Sequence, residues 1–288
     1  MKSYPFSMAR MFGVPLAIHP TKGKVIAQAL SKRLNITSIQ FNDSRAEVSE
    51  WEEEDFSEPS TEGGYDVVNG VAIIPIEGTL VHKGSSLRPH SGMLGYNAIA
   101  HNFTTAIRDE EVRAVVLACN SAGGEVSGCF DLVDLIHSAR GIKPVWSILD
   151  DMAFSACYAI ASAADRIIVP RTGGTGSVGV ITLHADHSKE LEGDGIAVTI
   201  FQYGDRKADG NPYFALSKEA AERYQEDIDT MGDLFVETVS RNLGIKPAKV
   251  RATQAATYLG AKGVEIGFAH AVMAPDEAFR SLLSELGQ

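Results

Sequence analysis

No stretch of this sequence approaches the run of about 18 apolar residues that a membrane-spanning helix requires. Basic residues are outnumbered by acidic ones, 26 to 37, and the formal charge of −11 is opposite to the broad basic surface that nucleic-acid binding uses. Cysteine is sparse. The three present, Cys119, Cys129 and Cys157, lie in apolar segments without a CxxC pair, so they read as buried thiols of a reducing compartment rather than a disulfide framework. The N-terminal MKSYPFSMARMFGVPLAIHPTKGK has only a short apolar patch, broken by Arg10 and Pro15 and without a cleavage site, and does not read as a signal peptide. No internal repeat is visible. These absences predict a cytoplasmic protein with no membrane anchor and no nucleic-acid partner.

What is present suits a globular chain: 288 residues, 44% hydrophobic and 22% charged, enough to bury a substantial core. The texture divides it into an N-terminal extension (1–46) with a short helix in TKGKVIAQALSKRL, an acidic linker (47–69), a core domain (70–275) and a C-terminal tail (276–288). The linker's EVSEWEEEDFSEPSTEGG shows no core periodicity. From Gly70 onward strands and helices alternate. GVAIIPIEGTL, RAVVLACNSAGGE, KPVWSILDDMA, DRIIVP, GSVGVITLHAD and IAVTIFQYG read as strands. Tyr96, Ile99, Phe103 and Ile107 share a helical face, as do Phe130, Val133 and Ile136. A long helix from Ser217 to about Asn242 has Ser217 as its N-cap. Repeated strand–crossover–strand units predict an α/β layer fold.

Two segments carry residues suited to chemistry. NSAGGE ends a strand in Gly123-Gly124, whose unscreened backbone N–H groups suit an oxyanion; the same pair also reads as a tight strand-to-helix turn. In DDMAFSACYAIASAADRI, Ser155 stands where a polar turn meets an apolar helix. It reads either as that helix's N-cap or as a nucleophile in the positive field of the helix N-terminus. A serine nucleophile needs a base. His184 and His187 are candidates, but on a strand they face opposite sides, so at most one serves and a metal pair is disfavoured. Lys207 in QYGDRKADGNP is the other candidate. It reads as a solvated loop lysine unless burial makes it neutral, with Ser177 placed to orient its amine.

Taken together, NSAGGE, DMAFSACYAIASAADRI, TGGTGSVGVI, YGDRKADGNP and the later YLGAKGVEIGFAHAV resemble the signal peptide peptidase A family of serine–lysine peptidases, over roughly residues 70–273. The resemblance implies a ClpP/crotonase-like spiral of ββα units in a single core domain with an N-terminal extension. It also implies Ser155 as nucleophile, Lys207 as general base, Ser177 holding the lysine, and an oxyanion hole from Gly124 or Gly123 with the Ala156 N–H. No metal or cofactor is called for. The family usually has Gly after the nucleophile, where this chain has Ala156 and then Cys157. The layout, with no membrane anchor, resembles the phage and prophage branch, head maturation proteases that process scaffold, portal or capsid proteins, in the host cytoplasm or inside the procapsid. The chain ends shortly past its core, so any scaffold is expected to be a separate protein or to be made otherwise. The resemblance further implies a homo-oligomer with active sites near subunit interfaces. Four alternatives stand beside this reading. They are a cytoplasmic peptidase acting on signal or other peptides, a ClpP-like peptidase using His184, an acyl-CoA hydratase or hydrolase of the crotonase fold, and a non-catalytic capsid assembly protein.

Overall fold

A computed structural model describes residues 15–19, 39–41, 44–46, 64–84 and 92–287. The helix expected in TKGKVIAQALSKRL and most of the acidic linker lie outside the described residues. Within the N-terminal extension, β1 (Leu16–Ile18) is followed by a hairpin of β2 (Ile39–Phe41) and β3 (Ser44–Ala46).

The core repeats strand, strand, helix. After β4 (Asp66–Val68), the first unit runs β5 (Val71–Glu77), β6 (Thr79–Val81), β7 (Met93–Gly95) and α1 (Tyr96–Arg108). The second is β8 (Ala114–Ser121), β9 (Gly123–Glu125) and α2 (Cys129–Ser138). In the third, β10 (Val145–Phe154) runs directly into α3 (Ala156–Ser162). Leading strands β5, β8 and β10 pair in parallel in a large sheet, while β6, β7 and β9 form a smaller one that β1 joins at its edge. This is an α/β layer fold built from ββα units.

Both faces of the large sheet are covered, which explains its near-continuous apolar strands. Alternate residues enter two cores. Ile74, Leu117, Cys119 and Leu149 face the one containing α1, α2 and α3, whereas Val71, Val116, Trp146 and Ile148 face a second. After β11 (Arg166–Val169), β12 (Gly174–Gly176) and the short α4 (Ser188–Gly193) comes α5 (Lys218–Leu243), whose N-cap Ser217 accepts the Ala220 N–H at 3.1 Å. The chain closes with α6 (Pro247–Arg251), β13 (Thr257–Leu259), α7 (Ala261–Glu265), β14 (Ala271–Val272) and α8 (Pro275–Glu285).

Three expectations change. Residues 276–288 were expected as a tail, yet α8 buries Ala278 and Leu282 in the second core, the next-turn spacing that a single helical face requires. The strands expected in GSVGVITLHAD and IAVTIFQYG do not form beyond Gly176, save for a single bridge at Ile181, and among the described residues no strand lies alongside them to complete a ladder. Finally, Gly123-Gly124 is not a strand-to-helix turn but the start of β9, inserted between β1 and β6. Among the described residues no helix is long and apolar enough to cross a membrane.

Candidate active site

β10 delivers Ser155. Along one edge its first half pairs with β11 and its last residues, Met152–Phe154, with β12, while β8 pairs along the other edge as far as Ala153, so the strand is held on both sides almost to its end. The chain then turns sharply into α3 with Ser155 at φ 53° and ψ −121°, a conformation rare for a non-glycine residue. Its N–H donates to the Gly176 carbonyl and its carbonyl accepts from Ala159, both at 2.9 Å. The hydroxyl makes no capping bond to the helix, which removes the N-cap reading, and its nearest acceptor is the Gly179 carbonyl at 3.5 Å. A strained, backbone-clamped serine with a nearly unengaged hydroxyl is the geometry of a nucleophile at a strand-to-helix elbow.

Gly123 lies against this corner. The position a Cβ on Gly123 would take is 3.0 Å from Ser155 Cβ and 3.1 Å from the Ala156 nitrogen, and Gly123 has φ +101°. The Ala156 N–H opens α3 and meets no backbone acceptor among the described residues. The Gly123 N–H instead donates to the Ser121 hydroxyl at 3.1 Å. Gly124 is demanded by packing, since a Cβ there would stand 1.8 Å from the Leu80 carbonyl oxygen of β6. The arrangement offers a hydroxyl and a free helix-terminal N–H around one point, as oxyanion chemistry requires.

Ser177 is the second residue brought here. It follows Gly176, the residue that binds the Ser155 N–H, is buried, and has φ 57°. Lys207 is not brought in by any contact. It lies exposed in the loop preceding α5, its N–H donating to Gly204 at 3.1 Å. That loop is tethered to α5 by Asp209, which accepts from Arg223 Nε and Nη2 at 2.8 and 2.5 Å. His184 Nε2 sits 3.2 Å from the Asn211 carbonyl, so it carries the proton there and is no base on that side. His187 pairs with Glu190 at 3.1 Å.

Behind Ser155 lie the three thiols. Burial pushes the Cys129 thiol up to about 12, and a hydrogen bond with Cys119 together with burial raises Cys157 well above the ordinary thiol range. Sequence reasoning missed β1, which lies along β9 beside the corner, and His19 just after it, whose ring stacks on Phe154 at 4.8 Å. The only signal was the apolar PLAI of the N-terminal stretch.

Comparison with known proteins gives consistent matches. The model of peptidase family S49 matches residues 137–287. The capsid assembly protease C of Escherichia phage lambda is 35% identical over 93% of this chain and 63% of its own length. The head-tail preconnector protein of Enterobacteria phage P21 is 34% identical over 97% of this chain and 57% of its own. Protease 4 of Haemophilus influenzae is 27% identical over 86% and 40%. The chain therefore spans only about three fifths of the two phage relatives. An enoyl-CoA hydratase/isomerase family member of known structure matches with a TM-score of 0.45 and 16% identity over 77% of this chain and 75% of that one.

Proposed function

We propose, from the premise that the chain belongs to peptidase family S49, that it is a serine endopeptidase in which Ser155 is the nucleophile and Lys207 the general base. The observation that carries the reading is the corner itself: a strained Ser155 with an uncapped hydroxyl, Gly123 against it, and the free Ala156 N–H beside it. Neutral Lys207 takes the hydroxyl proton as Ser155 Oγ attacks the scissile carbonyl. The Ala156 N–H, with a donor from Gly124 or from Gly123 once its N–H is released from the Ser121 hydroxyl, stabilises the tetrahedral oxyanion. The carbon–nitrogen bond then breaks, the leaving amine receives the proton, and water attacks the acyl-enzyme with the same base. Ser177 orients the lysine amine.

An ammonium group cannot accept a proton, so a base at position 207 must be desolvated. Lys207 is exposed in the single chain, and its arm carries Phe201 and Tyr203 at 94% and 100% exposure. Apolar side chains this exposed on one arm support a homo-oligomer in which a neighbouring copy covers the arm. The phage capsid assembly protease and head-tail preconnector among its relatives support polypeptide substrates, here proposed to be scaffold, portal or capsid proteins met in the host cytoplasm or inside a procapsid.

In a ClpP-like arrangement His184 would have to act through Nδ1, because its Nε2 donates to the Asn211 carbonyl. The deciding experiment co-expresses wild type, Ser155→Ala, Lys207→Ala and His184→Ala with scaffold, portal and capsid proteins and reads cleavage by intact mass. Cleavage by wild type and His184→Ala alone is expected. Cleavage by Lys207→Ala removes the lysine from the mechanism, and cleavage by Ser155→Ala removes the serine.

A further inference from the structure

Ser155 is only 1% exposed, and Ala156 is fully buried. A nucleophile so covered cannot meet a polypeptide until something leaves. What lies over the corner is β1. Ala17 stands opposite Gly124 and Ile18 opposite Gly123, antiparallel, and the Ala17 carbonyl oxygen lies 2.2 Å from the point a Gly123 Cβ would take. On its other side Leu16 exchanges two hydrogen bonds with Ile181, at 2.7 and 2.9 Å. The Val126 N–H reaches Pro15 at 3.3 Å and the His19 N–H reaches Ala122 at 2.7 Å, so main chain is paired from residue 15 to 19.

A short extended segment bound by backbone on both sides, with one carbonyl directed at a serine corner, is how a cleft holds a peptide by strand addition. We infer that the cleft between β9 and Ile181 is the substrate's β-strand groove, and that Leu16–Ile18 occupies it as a built-in competitor. The inference rests on the Ser155 reading for the meaning of the corner, but not for the groove. Leu16, Ala17 and Ile18 are all buried, at 6%, 0% and 5% exposure. The groove therefore accepts an extended segment with a small residue flanked by two aliphatic ones, the small residue lying where its carbonyl meets the corner. A tethered occupant lowers the apparent affinity for free peptide by the fraction of chains in which it is docked.

The test uses a fluorescein-labelled peptide of residues 13–21, added to the full-length chain carrying Ser155→Ala so that nothing is cut. Leu16→Pro removes the donor to Ile181, and Ile18→Asp places a carboxylate where an aliphatic side chain is buried. Each is expected to raise peptide affinity, read by fluorescence anisotropy, by about tenfold or more over the unreleased chain. An Ala17→Trp peptide is expected to bind neither. Equal affinity for released and unreleased chains overturns the inference, as does absence of binding to both. Loss of the helical circular-dichroism signal in both variants also overturns it, because β1 is then a structural strand. Labelling of Ser155 by a fluorophosphonate, in the same variants with Ser155 restored, separates the two readings. Peptide binding without labelling overturns the nucleophile and leaves the groove standing.

Discussion

Gly123 meets two demands that no other residue satisfies. Its φ of +101° is costly for a side chain, by about 1–3 kcal/mol for strained backbone, and a Cβ would collide with the Ala17 carbonyl and press on Ser155 and Ala156. Gly123→Ala is therefore expected to abolish peptidase activity while costing stability in that range, read by urea denaturation beside the cleavage assay. An unchanged kcat would remove Gly123 from the corner. A second residue-scale expectation concerns the thiols. Cys129 and Cys157 are buried and their thiolates disfavoured, so iodoacetamide at pH 8 should leave activity intact and label cysteine only after denaturation. Inhibition of the native enzyme would point to a cysteine at the centre. At this scale the sequence was informative about local turns: the candidates Ser155, Ala156, Ser177 and Gly123 come together in the fold, while Gly124 packs against Leu80. It was silent on whether Lys207 joins them, because that depends on burial, and a loop lysine carries no mark of what will cover it.

At the scale of elements, α3 depends on a partner that no periodicity reveals. The carbonyls of Ser162, Ala163 and Ala164 at its C-terminal end all accept from Arg140, whose Nη1 also reaches the Asn242 carbonyl of α5, with each contact between 2.7 and 2.9 Å. One guanidinium thus satisfies orphan carbonyls of the helix that begins at Ser155 and ties it to a second helix. Arg140→Met should destabilise the fold by about 2–4 kcal/mol, since it strands several buried acceptors at once. A chemical-denaturation midpoint within error of wild type would show that water replaces the side chain. The strands β5, β8 and β10 were legible because apolar runs of that length between glycine turns suit a sheet covered on both faces. The strand β1 was not, because three residues carry no periodicity and their partners lie more than a hundred residues away. The expected strands after Gly176 failed for the complementary reason: apolar alternation is necessary for a ladder, but a partner must also be present.

His270 links the elements to the pH response of the fold. It lies just before β14, and its Nδ1 accepts the Ile167 N–H of β11 at 3.0 Å, so it must be neutral at that atom. Burial, then Arg166 and Arg140, hold its pKa below the ordinary 6.5. Above that value both folded and unfolded chains are neutral there, and the group adds no pH dependence. As pH falls below 6.5 the unfolded chain takes the proton first, so stability is lost until the lowered folded pKa is reached. The melting temperature is expected to drop between pH 7.5 and 5, and His270→Gln, which keeps an acceptor without the titration, should flatten that slope. An identical slope in the variant would assign the effect elsewhere.

For the whole molecule, the proposed homo-oligomer and the proposed Lys207 base raise one question together with the exposed arm: which copy would supply the base. If each active site takes Ser155 from one copy and Lys207 from the next, the contact is heterologous and each subunit carries half of two sites. Ser155→Ala and Lys207→Ala chains, each inactive alone, should then restore activity when unfolded together and reassembled. Random pairing gives intact sites at up to about a quarter of positions. If the lysine acts within its own chain, no mixed site contains both groups and activity stays at the level of the single variants. Either result also fixes the role of assembly. In the first, specific activity must fall on dilution as the oligomer dissociates, followed by analytical ultracentrifugation at matched concentrations. In the second, the arm must fold back over its own Ser155, and activity per chain stays constant down to the monomer. The proposed shared site predicts that a neighbour's surface covers the exposed Phe201 and Tyr203 while Asp209 keeps the loop fastened to Arg223. On the proposal of a homo-oligomer, substituting both aromatics with Ser should leave the melting temperature within a few degrees while shifting the assembly to monomer. Loss of cleavage in step with that shift is the outcome expected of a shared site.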